Sequence, residues 1–347
     1  MPQENLKNNT VDDALSLLDR YWAERGHFRY FIRVRTIDEA LFLLDEHLEE
    51  ATIKAGGVDL VSLMKNKIAA PKAIISINAI PELDYIEEDS EGLKIGALAT
   101  IKDIETSAVT KDRYNILSEA AHSVGSPHIR NMSTIAGNLC QSVRCWYYRR
   151  SPVTGLSFFC RRKGGEQCYA LDGDNRYHSI IGDRNCVAVC PSDMAPALIA
   201  LEAKVKVATS SSGERTVPLE EFFTTMGNIL KPNEMITEIQ IPAPTHITRQ
   251  QYLKFRLRKT IDFAISSAAV ALSTDAGVIT DSRIVLGGVA PTPYRARQAE
   301  EVLQGKELTG SIAEEAAKAA LSEASPLSMN AHKVPITEAL VKRAIQE

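Results

Sequence analysis

At 347 residues the chain is long enough for two or three domains with substantial hydrophobic cores. A net charge of −4 and a pI near 6.0 argue against nucleic acid or an anionic membrane surface as the main partner. The longest apolar runs, such as Ala264 to Leu272, are too short and too serine-rich to span a bilayer, and Met1 is followed by polar residues rather than a secretory signal, so a cytoplasmic location is expected.

Thr10 opens a predicted N-terminal helix. Its hydroxyl can cap, Asp13 follows three residues later, and Leu15, Leu17, Leu18, Tyr21 and Trp22 supply an apolar face. Residues 1–24 read as a helical extension. Phe31 to Val34 predicts a strand, and Thr36 to Glu49 an amphipathic helix on Leu41, Leu43, Leu44 and Leu48. Thr52 to Leu60 predicts a short strand, a Gly56-Gly57 turn and a helix start that Asp59 could cap. Adjacent glycines let a backbone approach a ligand and aim its N–H groups at an anion, although most such turns only connect elements. The absence of a G-x-G-x-x-G or Walker A sequence excludes an ordinary Rossmann or P-loop reading.

Ala73 to Ile77 predicts a strand. Tyr85-Ile86 and Leu93 to Gly96 predict a hairpin around Ser90-Glu91-Gly92, and helices are expected at Thr100 to Ser107 and Leu117 to Val124. A second glycine turn follows, in which Thr134, Gly137 and Asn138 offer a hydroxyl, an open backbone and an amide. That mixture suits a pyrophosphate or ribityl chain, and equally a plain capped turn.

All six cysteines then fall in one stretch, at Cys140, Cys145, Cys160, Cys168, Cys186 and Cys190, among Arg144, Arg149, Arg150, Arg161, Arg162 and Lys163. Three readings stand open. Disulfides fit poorly without an export signal, and structural zinc usually comes with paired C-x-x-C knuckles. Wide, irregular spacing suits a cubane cluster held by four thiolates from a wrapped loop. His122, His128 and His178 are further candidate ligands, though a lone histidine is more often structural. Tyr147, Tyr148, Phe158 and Phe159 are expected to pack over the cysteine loop.

Beyond Cys190 a helix is expected from Pro191-Ser192-Asp193 through Leu201, then a hairpin of Ala203 to Thr209 with Arg215 to Val217. Glu220 to Met226 reads as helix, Met235 to Ile241 as strand, and Pro242-Ala243-Pro244 as a domain boundary. The remainder predicts strands at Tyr252 to Leu257, Ala264 to Leu272 and Ser282 to Val289, then helices at Ala296 to Leu303, Ile312 to Ala324 and Glu338 to Ile345. The basic run Arg249, Lys254, Arg256, Arg258 and Lys259 reads as a solvated face from which a lysine could reach an anion.

Five segments in order carry a resemblance: Ala55-Gly56-Gly57-Val58-Asp59-Leu60; Ile129-Arg130-Asn131 through Thr134-Ile135-Ala136-Gly137-Asn138-Leu139; Ser192-Asp193 with Pro196; Asp262-Phe263-Ala264; and Gly287-Gly288-Val289-Ala290-Pro291. Together they resemble the FAD-binding medium subunit of molybdenum hydroxylases, the xanthine dehydrogenase and carbon monoxide dehydrogenase family, over nearly the whole chain after Phe31. The resemblance implies an α+β fold: a two-part FAD-binding domain of the vanillyl-alcohol-oxidase type over residues 25–243, then a small CO-dehydrogenase-flavoprotein-like domain over 244–347. It implies FAD bound by Ala55, Gly56, Gly57, Val58, Asp59, Leu60, Thr134, Ala136, Gly137, Asn138, Asp193 and Lys254.

The cysteine-rich insertion, about 140–190, resembles the beta subunit of 4-hydroxybenzoyl-CoA reductase. That implies a [4Fe-4S] cluster on Cys145, Cys160, Cys168 and Cys186, with Cys140 and Cys190 outside the set. The implied partners are a large molybdenum-cofactor subunit, a small [2Fe-2S] subunit and an external ferredoxin-like or NAD(P) electron partner, with no nucleic acid and no membrane. Val58 replaces a frequent hydroxyl residue, and Ala136 stands where glycine is common; if that position needs φ > 0, its methyl costs about 1–2 kcal/mol. No proton-transfer residue stands out, as expected for electron transfer. A cluster-free flavin oxidoreductase and a zinc-stabilised adaptor are the alternative readings.

Overall fold

Three short parallel strands come first, β1 (Tyr30–Arg33) and β2 (Ala51–Lys54) flanking β3 (Ala73–Ser76), whose four residues are all buried. Parallel neighbours need crossovers. The first is the helix Ile37–His47, started by the Thr36 hydroxyl accepting from Glu39 N and burying Ala40, Leu41, Leu43 and Leu44. This computed structural model describes residues 30–150, 157–244, 246–247 and 249–347, so the predicted helix from Thr10 lies outside the described residues.

The second sheet is antiparallel, in the order β4 (Ile86–Glu88), β5 (Gly92–Gly96), β10 (Met235–Pro242), β6 (Lys204–Thr209) and β7 (Gly213–Pro218). A two-residue pair, β8 (Phe223–Thr224) and β9 (Gly227–Asn228), precedes the central strand β10 (Met235–Pro242). β10 thus joins strands from both sides of the cysteine-rich stretch. The third sheet runs in sequence order through β11 (Arg249–Phe255), β12 (Ser266–Asp275), β13 (Val278–Gly287) and β14 (Tyr294–Arg295). The helices Arg297–Leu303, Gly310–Ala319 and Lys333–Gln346 cover one face of it.

β12 is buried on both faces. Ala269 and Ala271 pack into the core of the first two sheets, while Ala268, Val270 and Leu272 pack under the C-terminal helices. Side chains alternate along a strand, so a run rich in alanine and valine serves two cores at once. The helix Met194–Ala200, buried at every residue, stands against the same wall.

The α+β expectation holds. Several elements differ from it for local reasons. Glu220 to Met226 is not a continuous helix: only Leu219–Phe222 is helical, because the chain then pairs Phe223 and Thr224 with the strand beginning at Gly227. The strand expected from Ser282 begins at Val278, in a hairpin with β12 through Ala276 and Gly277, at φ 46° and 86°. The last helix begins at Lys333 rather than Glu338, since Pro335 sits in its first turn, where no N–H is needed. Ala136 is not among the residues at positive φ; it lies in the helix Ile135–Leu139, so its methyl carries no backbone strain. Among the described residues, no helix is long and apolar enough to cross a membrane.

Candidate cofactor-binding site

The two glycine turns meet. The first leaves β2 and passes so close to the second that a Cβ on Gly56 would lie 1.7 Å from the carbonyl oxygen of Met132, while Gly57 adopts φ 74°. Only glycine fits either place. The second turn is pinned from the other side: Ile101 N donates to Ser133 O at 2.8 Å, and Ile135 N to Ala99 O at 3.0 Å. The Thr134 hydroxyl accepts from Gly137 N at 3.2 Å and closes the turn into its short helix.

A cavity of about 620 Å³ opens on one side of this seam and one of about 820 Å³ on the other; Gly56 and Thr134 line both. Ala55, Gly57, Val58, Asp59 and Leu60 from the first turn, and Ala136, Gly137 and Asn138 from the second, line the first cavity. Among the described residues the amides of Gly56, Gly57 and Val58 meet no protein acceptor. A cleft floored by two close backbone turns with open N–H groups fits a dinucleotide, whose pyrophosphate needs donors without a blocking side chain. Sequence reasoning missed Gln141, Lys231 and Ile236 in the first cavity and Arg33 and Arg35 in the second. Lys231 and Ile236 come from the approach to and the body of β10, far along the chain, and no spacing links them to the turns.

Asp59 does not cap the helix Leu60–Lys65, which has no side-chain cap. Its carboxylate instead accepts from Ser142 N at 2.8 Å, Arg144 Nη1 at 2.7 Å and Arg149 Nη2 at 2.6 Å. Two guanidiniums and an amide outcompete a single local N–H. Burial pushes the Arg144 guanidinium down to about 10; Asp59 pulls it back up and Arg149 opposes that. Arg144 also lies 4.7 Å over the Phe263 ring. The first turn is thereby tied to the start of the cysteine loop.

Asp193 and Lys254 line neither cavity. They pair with each other, Lys254 Nζ to Asp193 Oδ2 at 2.7 Å, both buried, with Tyr252 OH donating to Asp193 Oδ1 at 3.1 Å and Lys254 also reaching Ser123 O. This pair couples the start of the helix Met194–Ala200 to β11. Asn138 is tied to the residue before Asp193, its Oδ1 accepting from Ser192 Oγ at 2.6 Å.

Cys145, Cys160, Cys168 and Cys186 line one small enclosed cavity, walled by Tyr147, Tyr148, Tyr169 and Arg162. Cys140 and Cys190 do not; both border a separate cleft, and Cys140 also reaches the first cofactor cavity. All six thiols are free. Among the described residues, no three Cys, His, Asp or Glu side chains are placed to hold a single metal ion. Burial pushes the Cys145 thiol up to about 11, against the pull of the Tyr148 and Tyr147 amides. Tyr147 and Tyr169 stack at 6.4 Å, and Phe158 meets both edge-on at 5.0 Å, but Phe159, expected to join them, is 63% exposed. Of the three histidines, His178 alone comes to a cysteine: its Nε2 is 3.2 Å from Cys145 Sγ. His122 instead binds Glu105, at 2.8 Å.

Residues 26–244 match the family described as the FAD binding domain in molybdopterin dehydrogenase, and residues 251–347 match the CO dehydrogenase flavoprotein C-terminal domain. The chain is 35% identical to the aldehyde oxidoreductase FAD-binding subunit of Escherichia coli, covering 78% of this chain and 84% of that one. It is 31% identical to the carbon monoxide dehydrogenase medium chain of Hydrogenophaga pseudoflava, over 90% and 93% of the two. A solved structure of carbon monoxide dehydrogenase from the same organism superposes with a TM-score of 0.74 at 29% identity, covering 92% of this chain and 96% of that one.

Proposed function

Since the chain belongs to the FAD-binding subunits of the molybdenum hydroxylases, a family of oxidoreductases, we propose that it carries a [4Fe-4S] cluster beside its FAD and relays electrons between an external donor or acceptor and the other subunits of its complex. The observation that supports the cluster is the convergence of Cys145, Cys160, Cys168 and Cys186 on one cavity, with the other two thiols outside it. Four sulfurs are the donor set a cubane takes. The insertion resembles, in its sequence, the beta subunit of 4-hydroxybenzoyl-CoA reductase, and six free thiols suit a reducing cytoplasm.

In this reading the backbone from Ala55 to Leu60, with Thr134, Ala136, Gly137 and Asn138, holds the dinucleotide. The Asp193–Lys254 pair stands outside the cavity and is linked to it through the neighbouring Ser192, which donates to Asn138. When bound, FAD supplies exchange of electrons singly or in pairs, and the cluster supplies single-electron exchange. Arg162 and the Asp59-bound Arg144 and Arg149 bring positive charge to the cysteine loop. Tyr148, which lines both the first cofactor cavity and the cysteine cavity, is the side chain common to the two sites. Carbon chemistry would belong to a large molybdenum subunit, reached through a small [2Fe-2S] subunit, with a ferredoxin-like or NAD(P) partner outside.

The complex, purified without oxygen, should show flavin bands over a broad iron–sulfur shoulder. Cys145→Ala and Cys168→Ala should each lose the cluster iron of this chain and keep FAD, whereas Cys140→Ala and Cys190→Ala keep both. Full iron in the first two variants would refute the ligand set. A flavin spectrum without iron in this chain would leave the cluster-free reading, and a colourless zinc-containing chain the adaptor.

A further inference from the structure

His178 is 3% exposed, and its position is set from every side. Its amide donates to Asn175 O at 2.9 Å. Its carbonyl accepts from Asn330 Nδ2 at 3.1 Å and Lys333 Nζ at 2.9 Å. The ring meets the Trp146 indole edge-on at 5.2 Å and leans on Tyr147 at 6.2 Å. So fixed, it places Nε2 3.2 Å from Cys145 Sγ, and the other ring nitrogen, Nδ1, is buried with no partner.

The proton then has one suitable place. A thiolate bound to iron can only accept, so Nε2 must carry the hydrogen, leaving Nδ1 a bare lone pair. The opposite tautomer would bury an N–H with no acceptor and turn a lone pair toward the sulfur. Arg162, which lines the cavity, does the same for a second thiol. Its Nη1 donates to Met226 O at 3.0 Å, and its Nη2 to Thr225 O. Nε is left for Cys186 Sγ, at 3.1 Å.

We propose that His178 and Arg162 are positioning residues that donate N–H···S hydrogen bonds to two of the four cluster thiolates and hold the cluster's reduction potential up. The proposal rests on the cluster reading above. A donor aimed at a ligand sulfur stabilises the reduced, more negative cluster more than the oxidised one, and a cationic donor does so more strongly. Neither residue is needed as a ligand.

The test uses the anaerobic complex with His178→Phe, which keeps a ring without a donor, Arg162→Met, and the double variant. Iron, sulfide and FAD per chain are measured, and the cluster is titrated potentiometrically with its electron paramagnetic resonance signal as readout. Full iron and a midpoint shifted to more negative potential in each single variant, and further in the double, is the expected result. His178→Gln, whose amide can place an N–H near the same sulfur, should recover part of the shift. An unchanged midpoint with full iron overturns the proposal. So does loss of iron in both His178→Phe and His178→Gln with FAD retained, since that would make the imidazole a ligand. A wild-type chain without iron would instead defeat the cluster reading itself.

Discussion

An alanine methyl at Gly56 would strike backbone, Met132 O at 1.7 Å and its carbonyl carbon at 2.8 Å, whereas one at Gly137 would meet only the Thr134 hydroxyl, at 2.9 Å. Backbone cannot rotate away as a hydroxyl can. Gly56→Ala should therefore part the two turns and weaken FAD binding roughly 10- to 100-fold, about 1.4–3 kcal/mol, with Gly137→Ala costing clearly less. Fluorescence titration of the FAD-stripped protein measures both, and equal affinities would show that the seam is not the dinucleotide cradle. The glycines were legible in the sequence because their chemistry is local. Asp59 was not: the residues that claim its carboxylate lie 83, 85 and 90 positions away, and a local reading can see only a cap.

The helices between Thr100 and Arg130 hold the second turn in place through Glu105. Its carboxylate accepts from Arg130 Nε at 2.9 Å and from His122 Nδ1 at 2.8 Å, and pairs with Lys102 at 3.2 Å. Arg130 also reaches the carbonyls of His122 and Val124. Burial alone would raise the Glu105 carboxyl, but the His122, Arg130 and Lys102 hydrogen bonds outweigh it and hold the group below the usual carboxylate range. Its stabilisation is thus complete above the unfolded value of about 4.3 and is lost as pH falls through the lowered folded one. Glu105→Gln leaves the buried Arg130 charge without its carboxylate, at a cost of about 3 kcal/mol near neutrality. In urea melts the gap between wild type and variant should close toward acid; a gap constant from pH 7 to pH 3 would contradict this assignment.

Elements with strong caps and clean periodicity were legible beforehand, such as the helices started by Thr36 and Thr100. Ends set by tertiary contact were not. The helix ending at Phe222 stops because Phe223 and Thr224 pair with Asn228 and Gly227, and the β12–β13 hairpin puts Ala276, which carries no turn signal of its own, at positive φ before Gly277.

Across the whole molecule, the cysteine stretch is fastened at both ends. Asp59 grips its start, and Lys333, from the first turn of the last helix, reaches the carbonyls of Tyr177, His178 and Gly288 from complete burial. Burial pushes the Lys333 amine down to about 7. Between that value and the unfolded one of about 10.4, the unfolded chain binds more protons than the folded one. The lysine's contribution is therefore fully present above the unfolded value and is lost as pH falls through about 7. Stability of the wild type relative to Lys333→Met should then rise from pH 7 to pH 9 in denaturant melts. A difference that shrinks over that range would show that the ammonium form is the one the carbonyls prefer.

β12 gives the molecule a party wall. Tyr252, Ala269, Ala271 and Val285 complete the interior of the flavin-binding lobe, while their alternate neighbours complete the other. Neither lobe owns a finished interior without the third sheet, so there is no seam along which the two could swing apart. Any change in the spacing of the two cores would have to break the sheet they share.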